Sequence, residues 1–400
     1  MDPVRHITLP AGFLAAGVKA GIKASGKEDL ALIVGMTPLS AALLTTSNQV
    51  VGEPVKWCRQ ALPKGHGHIR GIVINSGCSN VCTGSRGFRD AAAMAQQAAR
   101  LVKARRGELL VASTGIIGHH LPMDRVRSGI ASAAAALGRQ DDGPVLRAIM
   151  TTDTREKSAV AQTRIAGRPV TVAGIIKGAG MIAPSLATMI CVVTTDAAVL
   201  PPLLYKLFRA AVGRTINAVT IDSDQSTSDT ALVMASGVSG AAVKAGTASE
   251  KAFAAALEEV LTNLAMAMAR DGEGATKLIT IRVAGAAGDA DAKAAAMSVA
   301  NSPLFKCAVH GGDPNWGRIL CALGKSSARV EADKTVVKIG GVTVFSRGRP
   351  ARLDLAKVEA HLKGEQVVVD AHLGLGQGRF TAYTCDYSRE YVAINADYHT

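Results

Sequence analysis

Apolar residues fall along the chain in two alternating rhythms. Short β-branched runs at 30–34 (LALIV), 71–75 (GIVIN), 108–113 (ELLVAS), 170–176 (VTVAGII), 188–195 (TMICVVTT), 277–285, 335–345, 366–373 and 379–387 have the composition of strands. Between them lie stretches that predict helices over 89–104, 123–138, 201–213, 249–269, 289–300 and 352–363. The fourth has the clearest period. Phe253, Leu257, Leu261, Leu264 and Met268 recur every three or four residues and share one face, and Asp271-Gly272 closes the helix. The chain is α/β. Near the C-terminus several strands follow one another without an intervening helix, which argues against a purely parallel doubly wound sheet and for stacked β-sheets flanked by helices.

Composition narrows this picture. At 400 residues the chain is long for a single domain, so one large or two interlocked domains are expected. Apolar residues make up 48%, yet Gly, Pro or charge breaks each segment before the roughly 18 residues that span a bilayer, so no membrane role is expected. The N-terminus lacks the basic-then-apolar order of a signal peptide: Asp2 and Pro3 precede the first Arg, and Lys19 and Lys23 interrupt the apolar stretch. A cytoplasmic protein is expected. Seven scattered cysteines with no C-x-x-C pair read as thiols, and His66, His68, His119 and His120 lack the partners of a metal site, so no metal is implied. The net charge of +13 raises the question of nucleic acid. Basic residues are spread singly and aromatics are only 4%, so the stacking platform of a single-strand binder is missing. The excess suits small substrates carrying carboxylates.

Several motifs bear on chemistry. In KGAGMIAPSLATMICVVTTDA (177–197), Thr188 stands where a Gly- and Pro-rich segment becomes an apolar run. It reads either as a β-branched residue opening a strand or as the residue after a peptide bond meant to break. ASTGIIG (112–118) follows an apolar run, and there Thr114 offers a hydroxyl and Gly115 an exposed N–H, the paired donors of an oxyanion hole or the residues of a plain turn. GLGQG (374–378) is followed by another strand, not the helix a dinucleotide fingerprint needs. DSDQSTSDT (222–230) opens like a calcium loop but has Thr227 where Gly is required and Val233 where Glu is required. DPNWGRIL (313–320) reads as a structural turn anchored by Trp316.

Taken together the chain resembles the ornithine acetyltransferase family, the bifunctional glutamate N-acetyltransferases of arginine biosynthesis. The likeness runs over essentially the whole length. It is carried by GFLAAGVKAGIKASGKEDLALI near the start, NSG at 75–77 with CTG at 82–84, STGIIG, MTTDT at 150–154, KGAGMIAPSLATM, STSDT, RDGEGATKL, HGGDPNWGRI and the terminal YVAINADYHT. The resemblance implies a fold shared with self-processing, N-terminal-nucleophile aminopeptidases and a chain that cuts itself between Ala187 and Thr188. Residues 1–187 would form an alpha chain and 188–400 a beta chain, two of each making a heterotetramer. Thr188 would be the nucleophile, its freed α-amino group the base for its own hydroxyl. It would take acetyl from N-acetylornithine and pass it to glutamate in a ping-pong cycle. The family's oxyanion donors fall on Thr114 and Gly115, and its substrate contacts on Thr151, Lys177, Thr188, Glu273, Asn395 and Thr400. Charge complementarity pairs Lys177 with a substrate carboxylate and Glu273 with the δ-ammonium of ornithine.

No cofactor is implied. Acetyl-CoA stays open as a second donor, because members with and without that activity share the same catalytic residues. The sequence departs from the family at Cys78 and Ser79, where Asn and Ala are usual, and at DSDQST, where DGDTST is commoner. These positions lie outside the implied catalytic set and bear on acceptor preference. Two rivals remain: an amidase or aminopeptidase on the same self-processing scaffold, and a basic noncatalytic binding protein in which Thr188 is only structural.

Overall fold

The computed structural model describes residues 6–183, 189–352 and 354–397. The first sheet comprises β1 (Phe13–Val18), β2 (Leu30–Thr45), β3 (His66–Cys78), β4 (Leu109–Ile116), β5 (Ser158–Ile165), β6 (Arg168–Lys177), β7 (Ile190–Thr195) and β8 (Thr230–Ala235). Their order is β4-β3-β2-β8-β7-β6-β5, with β1 beside β2. The β3–β4 and β7–β8 pairs are parallel and the others antiparallel. β2 changes partners along its length. Residues 30–35 pair with β1, a register shift between Val34 and Leu39 bends the strand, and residues 40–45 pair with β8.

Both faces of this sheet are covered. Helices α1 (Glu53–Ala61), α2 (Gly84–Leu101), α3 (Met123–Ala135) and α4 (Gly143–Ile149) pack on one face, and α5 (Pro201–Arg214) and α6 (Ala248–Arg270) on the other. Ile190 and Val192 of β7 face the first layer while Cys191 and Val193 face the second. This explains the unbroken apolar run: a strand buried on both faces has no polar side to alternate with.

The second sheet is built from β9 (Leu278–Ala286), β10 (Val336–Ile339), β11 (Val342–Ser346), β12 (Arg349–Pro350), β13 (Gln366–His372) and β14 (Gly378–Cys385), in the order β12-β11-β10-β13-β9-β14. Helices α7 (Asp289–Ala300), α8 (Pro303–Gly311), α9 (Trp316–Gly324) and α10 (Leu355–Leu362) accompany it, and α11 (Arg389–Asp397) ends the described chain. α6 lies between the two sheets, touching β5 and β6 on one side and β9 and β14 on the other. Phe253, Leu257, Leu261, Leu264 and Met268 are all fully buried, each contributing about 1.5–3 kcal/mol. The expected stacked-sheet α/β architecture is what forms.

Over its 23 residues α6 is long and apolar enough to cross a membrane, although charged residues interrupt its apolar run. It is a core helix of this fold, with its apolar face on the sheets and Glu258 paired to Arg214 of α5 at 2.6 Å. Several elements differ from expectation. Helices α1, α4, α8, α9 and α11 run only seven to nine residues, too short to display a period, and depend on tertiary contacts. The supposed turn at 313–320 becomes α9 from Trp316 onward, though Trp316 does anchor it, packing on Phe345 at 5.7 Å. GLGQG joins β13 to β14, strand to strand.

Close approach of α6 to β6 depends on Gly174. A Cβ there would lie 2.9 Å from Leu264 and 3.0 Å from Val260. Gly174→Val is expected to lever the helix off the sheet and cost about 1–3 kcal/mol. The check is a lowered urea midpoint with an unchanged denaturant slope.

Candidate active site

β4 and β6 end at a polar cleft of about 250 Å³. Six residues singled out from the sequence line it: Thr114, Gly115, Thr151, Lys177, Glu273 and Asn395. Ala187, Thr188 and Thr400 lie outside the described residues. What flanks the first two is held by carboxylates of the 222–229 loop. Asp222 accepts the N–H groups of Met181 at 2.5 Å and Ile182 at 2.8 Å, and Asp229 accepts that of Met189 at 2.8 Å.

Thr114 and Gly115 owe their place to the parallel register of β4 on β3, where they face Ser76 and Gly77. Gly115 has φ +126°, and a Cβ on it would fall 2.4 Å from the Gly77 carbonyl carbon, so only glycine fits. Polar contacts fix this strand end. Ser113 donates to Asn75 at 2.6 Å, Asn75 donates to the Cys78 carbonyl at 2.8 Å, and the Ser79 hydroxyl donates to the Ile116 carbonyl at 2.7 Å.

Lys177, the last residue of β6, is 2% exposed and donates from Nζ to Thr114 Oγ1 at 3.1 Å. Burial lowers its pKa; Asp153, Asp229 and Glu273 oppose that shift, while Lys157 adds to it. Behind it runs a buried ion cluster. Lys157 pairs with Asp153 at 2.6 Å and with Asp271, all three side chains at most 3% exposed. Asp153 also accepts the N–H groups of Thr151 at 3.0 Å and Gly178 at 2.7 Å, while Asp271 accepts both the N–H and the hydroxyl of Thr154. Burial by itself would raise the Asp153 carboxyl, but Lys157 and Lys177 outweigh it and hold the group at about 2.

Glu273 follows the C-terminal end of α6 and donates its N–H to the Ala179 carbonyl at 2.8 Å. A Cβ on Gly180 would meet the Glu273 carboxylate at 2.4 Å, so the glycine lets the two segments close up. Glu273 accepts a 2.9 Å bond from Asn395, which α11 brings to the cleft. α11 is braced from behind: Tyr391 stacks on Tyr387 at 4.9 Å, and the buried Lys306 ammonium lies 3.9 Å from the Tyr387 ring centre while donating to the Ile221 carbonyl.

The cleft contains more than the sequence reading assigned to it. Ser79, Asp222, Asp224 and the hydroxyl row Ser226, Thr227 and Ser228 also line it. Both departures from the family pattern, at Ser79 and in DSDQST, therefore fall on its walls. The available signal was the STSDT motif, which registered only as a failed calcium loop and a point of likeness. Asp229 is fully buried, and burial raises its pKa well above the ordinary carboxylate range; among the described residues its second oxygen has no hydrogen-bond partner.

A hydroxyl and a positive-φ glycine at a strand end, a buried lysine and a carboxylate opposite line a small cleft that carries both hydrogen-bonding and charged groups. Fold and cleft together define an α/β enzyme of small molecules. A model of the ArgJ family matches residues 14–400, and this chain belongs to that family of arginine-biosynthesis acetyltransferases. It is 45% identical to the arginine biosynthesis bifunctional protein ArgJ of Symbiobacterium thermophilum over 98% of both chains. It is also 45% identical to that of Geobacter sulfurreducens, over 97% of this chain and 99% of the relative. The crystal structure of the Bacillus halodurans protein of the same name is 36% identical, covers 51% of this chain and 97% of its own, and has a TM-score of 0.50. The resemblance read from the motifs is borne out, and the noncatalytic alternative falls away.

The buried cluster gives stability a sign with pH. Asp153 is depressed to about 2, so its contribution is complete above its unfolded value near 4 and is lost as pH falls toward 2. Asp153→Asn should be less stable than wild type at neutral pH, and the gap should close between about pH 4 and 2. Denaturant unfolding at a series of pH values measures it.

Proposed function

We propose that this chain is an autoprocessed acetyltransferase that moves acetyl from N-acetylornithine to glutamate through an acetyl-threonine intermediate at Thr188. The observation that carries the reading is the convergence of Thr114, Gly115, Thr151, Lys177, Glu273 and Asn395, drawn from five separate parts of the sequence, on one cleft. Its half-length counterpart supports the processing step: the Bacillus halodurans chain is matched over 97% of its length yet spans 51% of this one, as a chain severed near the middle would be.

In processing, the Thr188 hydroxyl attacks the Ala187 carbonyl, the C–N bond breaks and an ester forms. Water then cleaves the ester, leaving a carboxylate on Ala187 and a free amino group on Thr188. That amine, with an ordinary pKa of roughly 7.7–8.0, takes the proton from its own hydroxyl as the hydroxyl attacks the acetyl amide. Negative charge developing on the carbonyl oxygen is met by the Thr114 hydroxyl and the Gly115 N–H; losing one such donor typically costs about 10²–10³ in rate. Collapse breaks the amide C–N bond, the proton passes to the leaving amine, and ornithine departs. Glutamate's amine then attacks the acetyl-threonine carbonyl, the ester C–O bond breaks, the amine's proton returns to the Thr188 oxygen, and N-acetylglutamate leaves. Glu273 meets the δ-ammonium of ornithine. Acetyl-CoA would serve as a second donor, and the two pairs of fragments would assemble as a heterotetramer.

Purified wild type should run on a denaturing gel as fragments 1–187 and 188–400, with threonine at the new N-terminus. Thr188→Ala should stay one chain and transfer no acetyl group. Parallel double-reciprocal lines for N-acetylornithine and glutamate are expected from ping-pong transfer. Steady release of free acetate in place of N-acetylglutamate would instead favour the amidase reading, and cutting of Thr188→Ala at the same bond would overturn the mechanism.

A further inference from the structure

We infer that Lys306 is a positioning residue: through the Tyr387 ring it holds the terminal helix α11 in place, and so sets where Asn395 stands. The inference rests on the reading of Asn395 as a substrate contact, and it gives a role to a buried lysine that the acetyl-transfer steps do not use.

The helix cannot hold itself. Isolated helices shorter than about 12–15 residues are marginal in water, and α11 has nine residues. None of them is buried and Val392 is 65% exposed, so little apolar burial ties the helix down. Its docking depends instead on contacts in the first turn. The Tyr391 ring stacks on Tyr387 with centres 4.9 Å apart, and the Tyr391 N–H donates to the Ser388 hydroxyl oxygen at 3.3 Å. That hydroxyl donates to the Gly274 carbonyl at 2.6 Å. A Cβ on Gly274 would lie 2.4 Å from the Tyr391 nitrogen, so the close approach requires glycine. Asn395 follows one turn after Tyr391, donating to the Tyr391 carbonyl at 3.0 Å and to Glu273 at 2.9 Å. A shift of Tyr391 therefore carries straight to Asn395.

Tyr387 is fixed from the other side. Its neighbour Asp386 accepts the N–H groups of Thr276 and Lys277, each at 2.8 Å, and lies 2.7 Å from the His310 ring nitrogen. Lys306 on α8 is 1% exposed; its ammonium donates to the Ile221 carbonyl and lies 3.9 Å from the centre of the Tyr387 ring. Burial lowers the pKa of this lysine, and Cys385, Asp222 and Asp386 oppose the shift. Among the described residues no carboxylate is in salt-bridge range of it, so the ring face is the main partner of the charge beyond that carbonyl. A desolvated cation over an aromatic face is a directional contact, and the Ile221 bond fixes where the cation sits. The ring that receives Tyr391 is thereby given one orientation.

Hydrogen exchange of the 389–397 segment in the processed enzyme, read by mass spectrometry beside steady-state kinetics, tests this. Lys306→Met should speed exchange of these amides about 10- to 30-fold, the loss of one desolvated cation–ring contact. It should also raise KM for N-acetylornithine about tenfold with kcat within about threefold of wild type. Tyr387→Leu, which keeps the lysine, should do the same, whereas Tyr387→Phe, which keeps the ring, should stay within about threefold of wild type. The Lys306→Met, Tyr387→Leu double variant should exchange no faster than Tyr387→Leu, within about threefold, because the lysine acts on α11 only through the ring. If Lys306→Met is not cut or does not fold, the two Tyr387 variants carry the test. Wild-type exchange in Lys306→Met or Tyr387→Leu would overturn the proposal, as would multiplicative gains in the double variant or a lowered kcat with unchanged KM. Faster exchange with a wild-type KM, where Asn395→Ala raises KM, would overturn it too. Wild-type KM in Asn395→Ala itself would overturn the reading of Asn395 as a substrate contact, which separates the two failures.

Discussion

Lys157 is the ion to which the site is referenced. Its ammonium lies between Asp153 and Asp271, and each carboxylate in turn collects backbone N–H groups from a different part of the chain. Asp153 holds Thr151 and Gly178, the residue after Lys177, and Asp271 holds Thr154 and sits two residues before Glu273. Three of the cleft residues are thus positioned from one buried cation. Removing one partner of such a cluster typically costs about 3–5 kcal/mol, because a desolvated charge is left behind. Replacing the whole cluster with apolar groups could match its stability, but the N–H groups it gathers would lose their acceptors. Specific geometry, more than net stability, is what the arrangement provides.

Two layers then contribute from opposite sides. The first sheet brings the ends of β4 and β6, and the second brings α11 through the chain that follows β14. α6 makes this possible by packing on both sheets at once and ending at Asp271, so the helix that fills the core also delivers the carboxylate cluster. The brace on α11 is a buried lysine against an aromatic face, with no carboxylate in salt-bridge range among the described residues. Such a contact is directional but modest, about 2 kcal/mol when desolvated.

How much of this could be read in the sequence follows from physics that is local or not. α6 was plain because five large apolar residues repeat with the helix period and all point into one core. β7 was plain because burial on both faces leaves the apolar run Ile190–Val193 without polar alternation. β8, TALVMA, was missed because its composition favours a helix and only its place between β2 and β7 makes it a strand. At the site, Thr114, Gly115, Lys177 and Glu273 were legible through motifs. Lys157 and Asp153 were not singled out, and Asp271 stood out only as a helix end, since nothing local reveals that a lysine 4 residues from one aspartate is also bonded to another 114 residues away.

On the proposed acetyl transfer from N-acetylornithine to glutamate, two side chains of opposite charge must be accepted in turn, and the hydroxyl row on the cleft wall bears on how. Glu273 suits an ammonium and repels a carboxylate, and Asn395 has given one amide hydrogen bond to Glu273 and another to the Tyr391 carbonyl. A second substrate with a side-chain carboxylate needs donors that do not repel a cation. Serine and threonine hydroxyls meet that need, because each can donate to a carboxylate or accept from an ammonium by rotating one bond. Ser226 is ordered by its neighbours, its hydroxyl accepting the Ser228 N–H at 3.1 Å and its carbonyl accepting the Thr46 hydroxyl at 2.6 Å. Among the described residues the Thr227 and Ser228 hydroxyls share only a long 3.4 Å contact with each other, so their rotors are weakly committed. On the acetyl-transfer reading, a fixed charge on one wall and neutral, adaptable hydroxyls on the other let one cleft serve donor and acceptor without moving the oxyanion hole between half-reactions.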